Sequence, residues 1–514
     1  MRHERRYFWL LLLGALLVRL PHMDDSLWFD ELWRTHLGLT GDSLWFVLFH
    51  DIHPPLFALI LWGWIHVFGD GEIAVRVPSL LCGVASIAVT FALAKRWFGS
   101  RVAFLAGGLM ALSPAHIWYS HENKNNMFLV LLTVSAMWGL DCAWRSGGRR
   151  HWAVFLTASV LALWTNLFAV WIVSAACLWT WFEVWQNPLD RNRLWWAVVS
   201  TLTVACAFLP IVVWDLRQFD SLQRSYLRPF SLAEMYKLLL VYLSHGNTLR
   251  TVFPYAPLRT LLQQPAAFFL LDAFFAGLLL SGILWVTRHD LRPQSPPHRP
   301  ASGLLLFYFA TPLLALWAAS HIHAPIYTER SMLILLPPFV ILLAAGVFAL
   351  SHRVLRNGVL ATLLVLNGWA LLNLWIVKAD LWTVYKPKND WRAAAQYLST
   401  EIQAGSTPLR IFATAPASAL VYYNRRFIEL PGADEADHSD MHALIKYVSK
   451  NDERSIVERL RRQHAETCYF IEDRYYENGF NDLLNALRND RGLQPLEERT
   501  FKGVRVFKFG WRVR

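Results

Sequence analysis

A chain of 514 residues that is 55% apolar and 14% aromatic, with 26 Trp, carries charge at only 17% of its positions, against roughly a quarter in an ordinary globular protein. The charge is also uneven: 39 of the last 134 positions are Asp, Glu, Lys or Arg, about 29%, against 48 of the first 380, about 13%. This excludes a wholly soluble enzyme, a disordered chain and a disulfide-stapled secreted module, and fits a membrane part, 1–380, followed by a soluble domain, 381–514.

A membrane span needs about 20 mainly apolar residues. Runs near that length occur at 7–20, 77–94, 102–116, 126–144, 152–166, 169–186, 194–214, 266–287, 303–320, 331–350 and 357–377, which predicts eleven spans. The first follows MRHERR as a signal peptide would, but RLPHMDD after it offers no small-residue cleavage site, so an uncleaved anchor is expected. With the N-terminus inside, alternate loops hold 16 Lys/Arg, among them Arg2, Lys95, Arg145, Arg191, Arg288 and Arg353. The opposite short loops hold Arg34, Arg76, Lys124 and Arg330. That bias fixes the orientation and places 381–514 outside. The run 55–68 is too short to cross and carries Trp and His, so it reads as an interfacial helix within the loop 21–76. The net charge of +11 is then a topogenic signal, and no nucleic-acid partner is implied. Cys82, Cys142, Cys177, Cys206 and Cys468 form no CxxC pair.

Beyond Leu381 the pattern turns α/β. WRAAAQYLSTEI has helical spacing, SIVERLRRQ and NDLLNALRN read as charged amphipathic helices, and PLRIFATAP, TCYFIED and GVRVFKFG read as strands. No nucleotide-binding glycine loop appears.

The unusual polar residues fall in the loops assigned to the outer face. In SLWFDELW, Asp30 and Glu31 stand between bulky apolar side chains near a membrane surface. Desolvation there raises a carboxyl pKa into the range of a general base; the plainer reading is a loop acid capping a short interfacial helix. Asp51 and His53 precede Pro54-Pro55, a spacing that suits a divalent cation or merely opens the interfacial helix. Residues 118–126, WYSHENKNN, hold more polar groups than a turn between spans requires. Arg330 ends the loop HIHAPIYTER, where it could snorkel, pair with Glu329 or grip a phosphate.

The ordered segments SLWFDELW, HPPLFALILWGWIHVFGDGEIAVRVPSLLCG, AKRWFG, SPAHIWYSHENKNNMF, YTERSMLILLPPF and KNDWRAAAQYL resemble the integral-membrane GT-C glycosyltransferases. The kinship lies with the protein O-mannosyltransferase, aminoarabinose transferase and Rgt-like branch. The resemblance implies an inverting transfer of a sugar from a polyprenyl phosphate to a glycan, lipid or protein acceptor on the outer face of the inner membrane. It further implies that Asp30 is the base or aligns the acceptor, with Glu31 as its companion. Lys124 stands where the second-loop motif usually has Arg, Glu122 matches the acid of that motif, and Arg330 matches the basic residue near the donor phosphate. His121 replaces the usual Gln, and Asn125-Asn126 replaces Met-Tyr. Membrane lipids are the other expected partners; no cofactor is required, and a divalent cation at Asp51 and His53 is optional. A lipid-linked glycan flippase and an oligosaccharide polymerase are the competing functions.

Overall fold

The computed structural model describes residues 2–28, 30–32, 34–35, 53–186, 188–216, 229–246, 265–290, 300–322, 327–376, 389–404, 410–413, 422–423, 445–447, 467–473, 488–489 and 492–511. Asp51, His323, the helix expected at 455–463 and most of that expected at 481–489 lie outside the described residues. The chain divides into two compact units. The first comprises Met1–Met23, Asp42–Gly69 and Ile73–Lys378; the second comprises Asp24–Gly41, Asp70–Glu72 and Ala379–Arg514.

The first unit is helical. In chain order it holds α1 (Arg2–Leu17), α2 (Leu56–Phe68), α3 (Glu72–Phe98, whose first residue belongs to the second unit), α4 (Ser100–Leu112), α5 (Pro114–Ser120), α6 (Asn126–Ser146), α7 (Arg149–Leu163), α8 (Ala169–Gln186) and α9 (Arg191–Leu216). Then come α10 (Leu232–Tyr236), continued by a π-helical stretch (Lys237–Tyr242) and a last turn (Leu243–His245), α11 (Pro265–Asp290), α12 (Pro300–Ile322), a 3-10 segment (Glu329–Leu335), α13 (Leu336–Ala349) and α14 (Arg353–Ile376). Every expected apolar run is thus helical over most of its length. Among the described residues, seven helices are long and apolar enough to span, or eight if the bent pair α4 and α5 counts as one. Helices α1, α7 and α8, at 16, 15 and 18 residues, stand at the three other expected span positions. Helix α2, at 13 residues, is too short to cross, and buries the face formed by Phe57, Leu61 and Ile65.

The core runs along the segment Glu329–Ala349, whose apolar window is 89% buried. Close crossings there depend on glycine. A Cβ on Gly282 of α11 would lie 2.0 Å from the Leu342 carbonyl oxygen of α13, and one on Gly346 would lie 2.1 Å from that of Leu278. Gly139 serves α6 in the same way, with the backbone nitrogen of Phe155 on α7 at 2.8 Å from a built Cβ. Such contacts let bare backbones meet where lipid offers no hydrophobic drive between helices.

In the second unit, α15 (Trp391–Ala404) accompanies a five-stranded sheet of β1 (Arg410–Ala413), β2 (Ile445–Tyr447), β3 (Thr467–Asp473), β4 (Leu493–Phe501) and β5 (Val504–Trp511). Their order is β2-β1-β3-β5-β4; the β1 pairings are parallel, and β5 runs antiparallel to both β3 and β4. Helix α15 and strands β1, β3 and β5 fall where the sequence places them. Strand β4 is added: Pro495 disguises it, yet a proline is tolerated on this outer strand beside the register shift at Pro495/Glu497. Lys502-Gly503 closes the β4–β5 hairpin, with Gly503 at φ 73°.

Candidate active site

The segment after α4 is built around a break. Ser113, extended at φ −63° and ψ 120°, caps α5, and Pro114 supplies a first helical residue whose missing N–H is no loss. The chain bends there by 59°. Carbonyls freed at the bend find Arg19, which is fully buried just past α1. Its Nη1 donates to the Ala111 carbonyl at 3.0 Å and to the Ala15 carbonyl at 2.7 Å. Its Nη2 meets His116 Nδ1 at 2.8 Å, its Nε donates to Ser120 Oγ at 3.2 Å, and the other ring nitrogen of His116 meets Ser86 Oγ at 3.0 Å. A guanidinium without a carboxylate is tolerable here because its donors are spent on carbonyls, a ring nitrogen and a hydroxyl.

This scaffold holds the turn between α5 and α6. The sequence reads 117–125 as an outer loop, but every residue from Ser120 to Asn126 is buried, with Lys124 at 4% exposure and Glu122 at 2%. One backbone carbonyl of the turn is met from a distant element, Ser79 Oγ on α3 donating to the Lys124 carbonyl at 3.1 Å, and one bond is local, the Lys124 N–H donating to the Glu122 carbonyl at 2.8 Å. Asn125 Nδ2 donates to the Thr165 carbonyl at 2.9 Å. His121 Nε2 lies 2.6 Å from the Arg19 carbonyl, which makes it a brace of the turn, and Trp118 Nε1 donates to Glu122 Oε1 at 2.8 Å. A lysine and a glutamate are therefore fixed in a dry, rigid turn, the condition under which charge acts most strongly.

Arg330 opens the 3-10 segment, half-buried beside Glu329, and Thr328 and Ser331 pair through their hydroxyls at 2.7 Å. Its link to the turn is Tyr119. That buried phenol sits beside Tyr242 of the π-helical stretch and within electrostatic reach of Glu122, Arg330 and Glu329. Both sequence motifs therefore lie within electrostatic reach of one buried phenol, beside a π-helical stretch that no sequence signal announced.

Asp30 and Glu31 belong to the second unit. The helical residues 30–32 and 34–35 start at Trp28, whose carbonyl accepts from the N–H groups of Glu31 and Leu32 at 2.9 Å each. Glu31 reaches back so that the Trp28 N–H donates to its Oε2 at 3.3 Å, half of a capping box, and its side chain is fully buried. That commitment makes Glu31 a structural companion, while Asp30 remains half-exposed. The strand of chain ahead of it is held by Tyr423, whose oxygen accepts from Ser26 Oγ at 3.0 Å and from the Leu27 N–H at 2.7 Å. Burial pushes the Tyr423 phenol up to about 12, so it stays protonated and keeps a donor at neutral pH. Arg392 of α15 donates to the Asp24 carbonyl and pairs with Glu72 at 2.6 Å. His53 is half-buried ahead of α2, and its expected companion Asp51 is outside the described residues. Among the described residues no group of three His, Cys, Asp or Glu is placed to hold a metal ion.

Comparison with known proteins decides the fold. Residues 52–214 match the sequence model of the dolichyl-phosphate-mannose-protein mannosyltransferase family. ArnT from Cupriavidus metallidurans in the apo state superposes with a TM-score of 0.58 at 14% identity, covering 98% of this chain and 97% of that one. The chain has the GT-C fold. The same ArnT bound to undecaprenyl phosphate matches this GT-C chain with a TM-score of 0.53 at 14% identity, over 98% and 97% of the two chains. The apo oligosaccharyltransferase of Archaeoglobus fulgidus matches with 0.52 at 13% identity, over 93% of this chain and 72% of that one. No curated protein matches the chain by sequence. Sequence reasoning passed over Arg19, Tyr242 and Tyr423 within this GT-C chain, and gave no separate part to His116 or Tyr119 inside the segments it singled out. For Arg19 alone there was a signal, a cation near the end of an apolar run, where an unpaired charge is costly.

Proposed function

We propose that this protein is an inverting glycosyltransferase that takes a sugar from a polyprenyl-phosphate donor and passes it to a cell-envelope acceptor. The observation that carries the reading is the dry turn 120–126 with Lys124 and Glu122 inside it, and Arg330 within electrostatic reach of Tyr119 at its edge. A water-borne substrate would need no such arrangement inside an apolar helical unit, whereas a lipid-linked phosphate brings its charge to the membrane boundary. The GT-C fold, the mannosyltransferase match over 52–214 and the undecaprenyl-phosphate-bound ArnT relative support the same donor class.

In this reading an acceptor hydroxyl or amine attacks the anomeric carbon from the face opposite the phosphate. The new bond forms as the carbon–oxygen bond to the phosphate breaks, and the acceptor proton passes to Asp30. The departing polyprenyl phosphate takes the electron pair, and Lys124 and Arg330 offset the charge it gains. Arg330 suits a planar, bidentate grip on phosphate oxygens, and Lys124 acts as a point charge. Glu31 keeps the Asp30 turn folded, and Glu122 shapes the turn around Lys124. No step requires a metal. The N-terminus is assigned to the cytoplasm of an inner-membrane protein and the C-terminal domain to the outer side, so a C-terminal reporter should be active only outside.

The test pairs a binding measurement with a cellular one. The purified full chain should bind undecaprenyl phosphate, and envelope glycans or lipids should lose one sugar when the protein is removed. An unchanged envelope mass spectrum, together with no undecaprenyl-phosphate binding, would refute the assignment.

A further inference from the structure

The first unit has a second polar centre that the proposed reaction does not use. Asp141, fully buried on α6, accepts from Trp97 Nε1 at 2.9 Å, from Arg96 Nε at 2.5 Å and from Arg145 Nε at 3.0 Å. Next to it lies a cavity of about 650 Å³ between α1, α3 and α6, within the range of small-ligand sites. Its wall is apolar, with Phe8, Ala88, Phe91 and Ala92. Its rim is charged, with Arg5, Lys95, Arg96 and Glu4. Lys95 is paired with Glu4 at 2.6 Å, so the four cations Arg5, Lys95, Arg96 and Arg145 face two carboxylates, Glu4 and Asp141. The surplus is positive, and Arg5 is exposed at the edge.

The position matters as much as the composition. Ser79, which donates to the Lys124 carbonyl, and Lys95 both lie on α3, 16 residues apart, or about 24 Å along the helix. That is close to the ~30 Å thickness of a bilayer's hydrocarbon core. The cavity therefore opens at the membrane boundary opposite the turn 120–126, at the end of the helices where the basic loops gather. A basic rim above an apolar wall between spanning helices matches a lipid with one charged end and one oily end.

We propose that this cavity binds one anionic phospholipid, its phosphate at Arg5, Lys95 and Arg96 and an acyl chain along Phe8, Ala88, Phe91 and Ala92. The site is separate from the proposed donor site and does not depend on that assignment. Ala88 and Ala92 are one helical turn apart on α3, so they leave a shallow channel on one face for the chain. Phe8 and Phe91, whose rings pack at 4.9 Å, form its floor.

The test uses the full chain purified in detergent and native mass spectrometry with phosphatidylglycerol or phosphatidylcholine as the probe. One phosphatidylglycerol should be retained in preference to phosphatidylcholine. Arg5→Gln should weaken that retention about fivefold and Arg5→Glu about twenty-five-fold, from the contribution of one basic side chain per lipid charge. Ala92→Trp fills the channel without touching the charge and should also release the lipid, with thermal stability measured alongside to show that the fold survives. Glycerol phosphate, which has the charge but no chain, should fail to compete. Equal retention of both lipids, undiminished retention in Arg5→Glu, or full displacement by glycerol phosphate would each overturn the proposal.

Discussion

Replacing Gly346 by alanine tests the packing of the first unit at its tightest point. The added Cβ would sit 2.1 Å from the Leu278 carbonyl oxygen, 3.0 Å from the Gly282 nitrogen and 3.0 Å from the Leu278 carbonyl carbon. All three neighbours are backbone atoms, so no side chain can swing aside, and α11 and α13 must separate by about 1 Å to restore ordinary contact. Overpacking costs typically 1–3 kcal/mol, and a rigid backbone clash belongs at the upper end, so about 3 kcal/mol is expected. Gly277, on the facing helix α11, is the control, because a Cβ there meets nothing within 4 Å. Gly277→Ala should be neutral or gain up to about 1 kcal/mol from helix propensity. Adding Gly282→Ala to Gly346→Ala should cost less than the sum of the two single changes, since the helices have already been pushed apart. Thermal unfolding of the detergent-solubilised chain, followed by loss of the monodisperse peak on size-exclusion chromatography, reads all four variants. If Gly346→Ala unfolds at the wild-type temperature, the crossing is not as close as described and the argument fails.

Asp30→Asn should abolish transfer while leaving expression and undecaprenyl-phosphate binding intact, and retained transfer would remove the base assignment. Glu31→Gln, by contrast, should cost about 1 kcal/mol through its weakened cap and lower transfer only in proportion to the folded protein lost, as activity and thermal stability measured together will show. Arg330→Lys should weaken undecaprenyl-phosphate affinity and transfer, Arg330→Ala should do so further, and Glu329→Gln should leave that affinity unchanged; unaltered affinity in Arg330→Ala would refute the phosphate contact. Hydrogen bonds from Lys508 and Tyr469 hold the Glu401 carboxyl below its usual range. The associated stability is present above the ordinary value near 4.5 and is lost as the pH falls below it. Hydrogen-exchange protection in Trp391–Ala404 of the intact chain, with the intrinsic pH dependence of exchange divided out, should therefore fall on acidification, and Glu401→Gln should flatten that dependence.

The helices were legible because membrane insertion leaves a strong compositional trace, one that survives even where a span is bent. Helix α15 and strand β3, whose expected and observed bounds nearly coincide, show the same for period-based reading in the second unit. The turn 120–126 was not legible as a buried element. Its polarity reads as a surface loop, and what buries it comes from Arg19, Ser79 and Thr165, contributed by three elements distant in the sequence. Glu31 shows a different limit. A carboxylate beside a carboxylate reads as a pair, and the Trp28 hydrogen bond shows that one member also takes part in helix initiation. Strand β4 stayed hidden because a proline argues against a strand unless its place at the sheet edge is known.

The hydrogen bond from Leu27 to Tyr423 joins residues 396 positions apart. At roughly 5–20 residues per second, the ribosome needs about 20–80 s to travel from one to the other. The segment bearing Asp30 thus waits that long after its own synthesis for the phenol that holds it, and nearly as long for Arg392. The first unit's helices can pack in the meantime, yet the segment next to Asp30 acquires its final hydrogen bonds only when Arg392 and Tyr423 have been made. The surroundings of Asp30 are thus settled late, after the first unit's helices have been made.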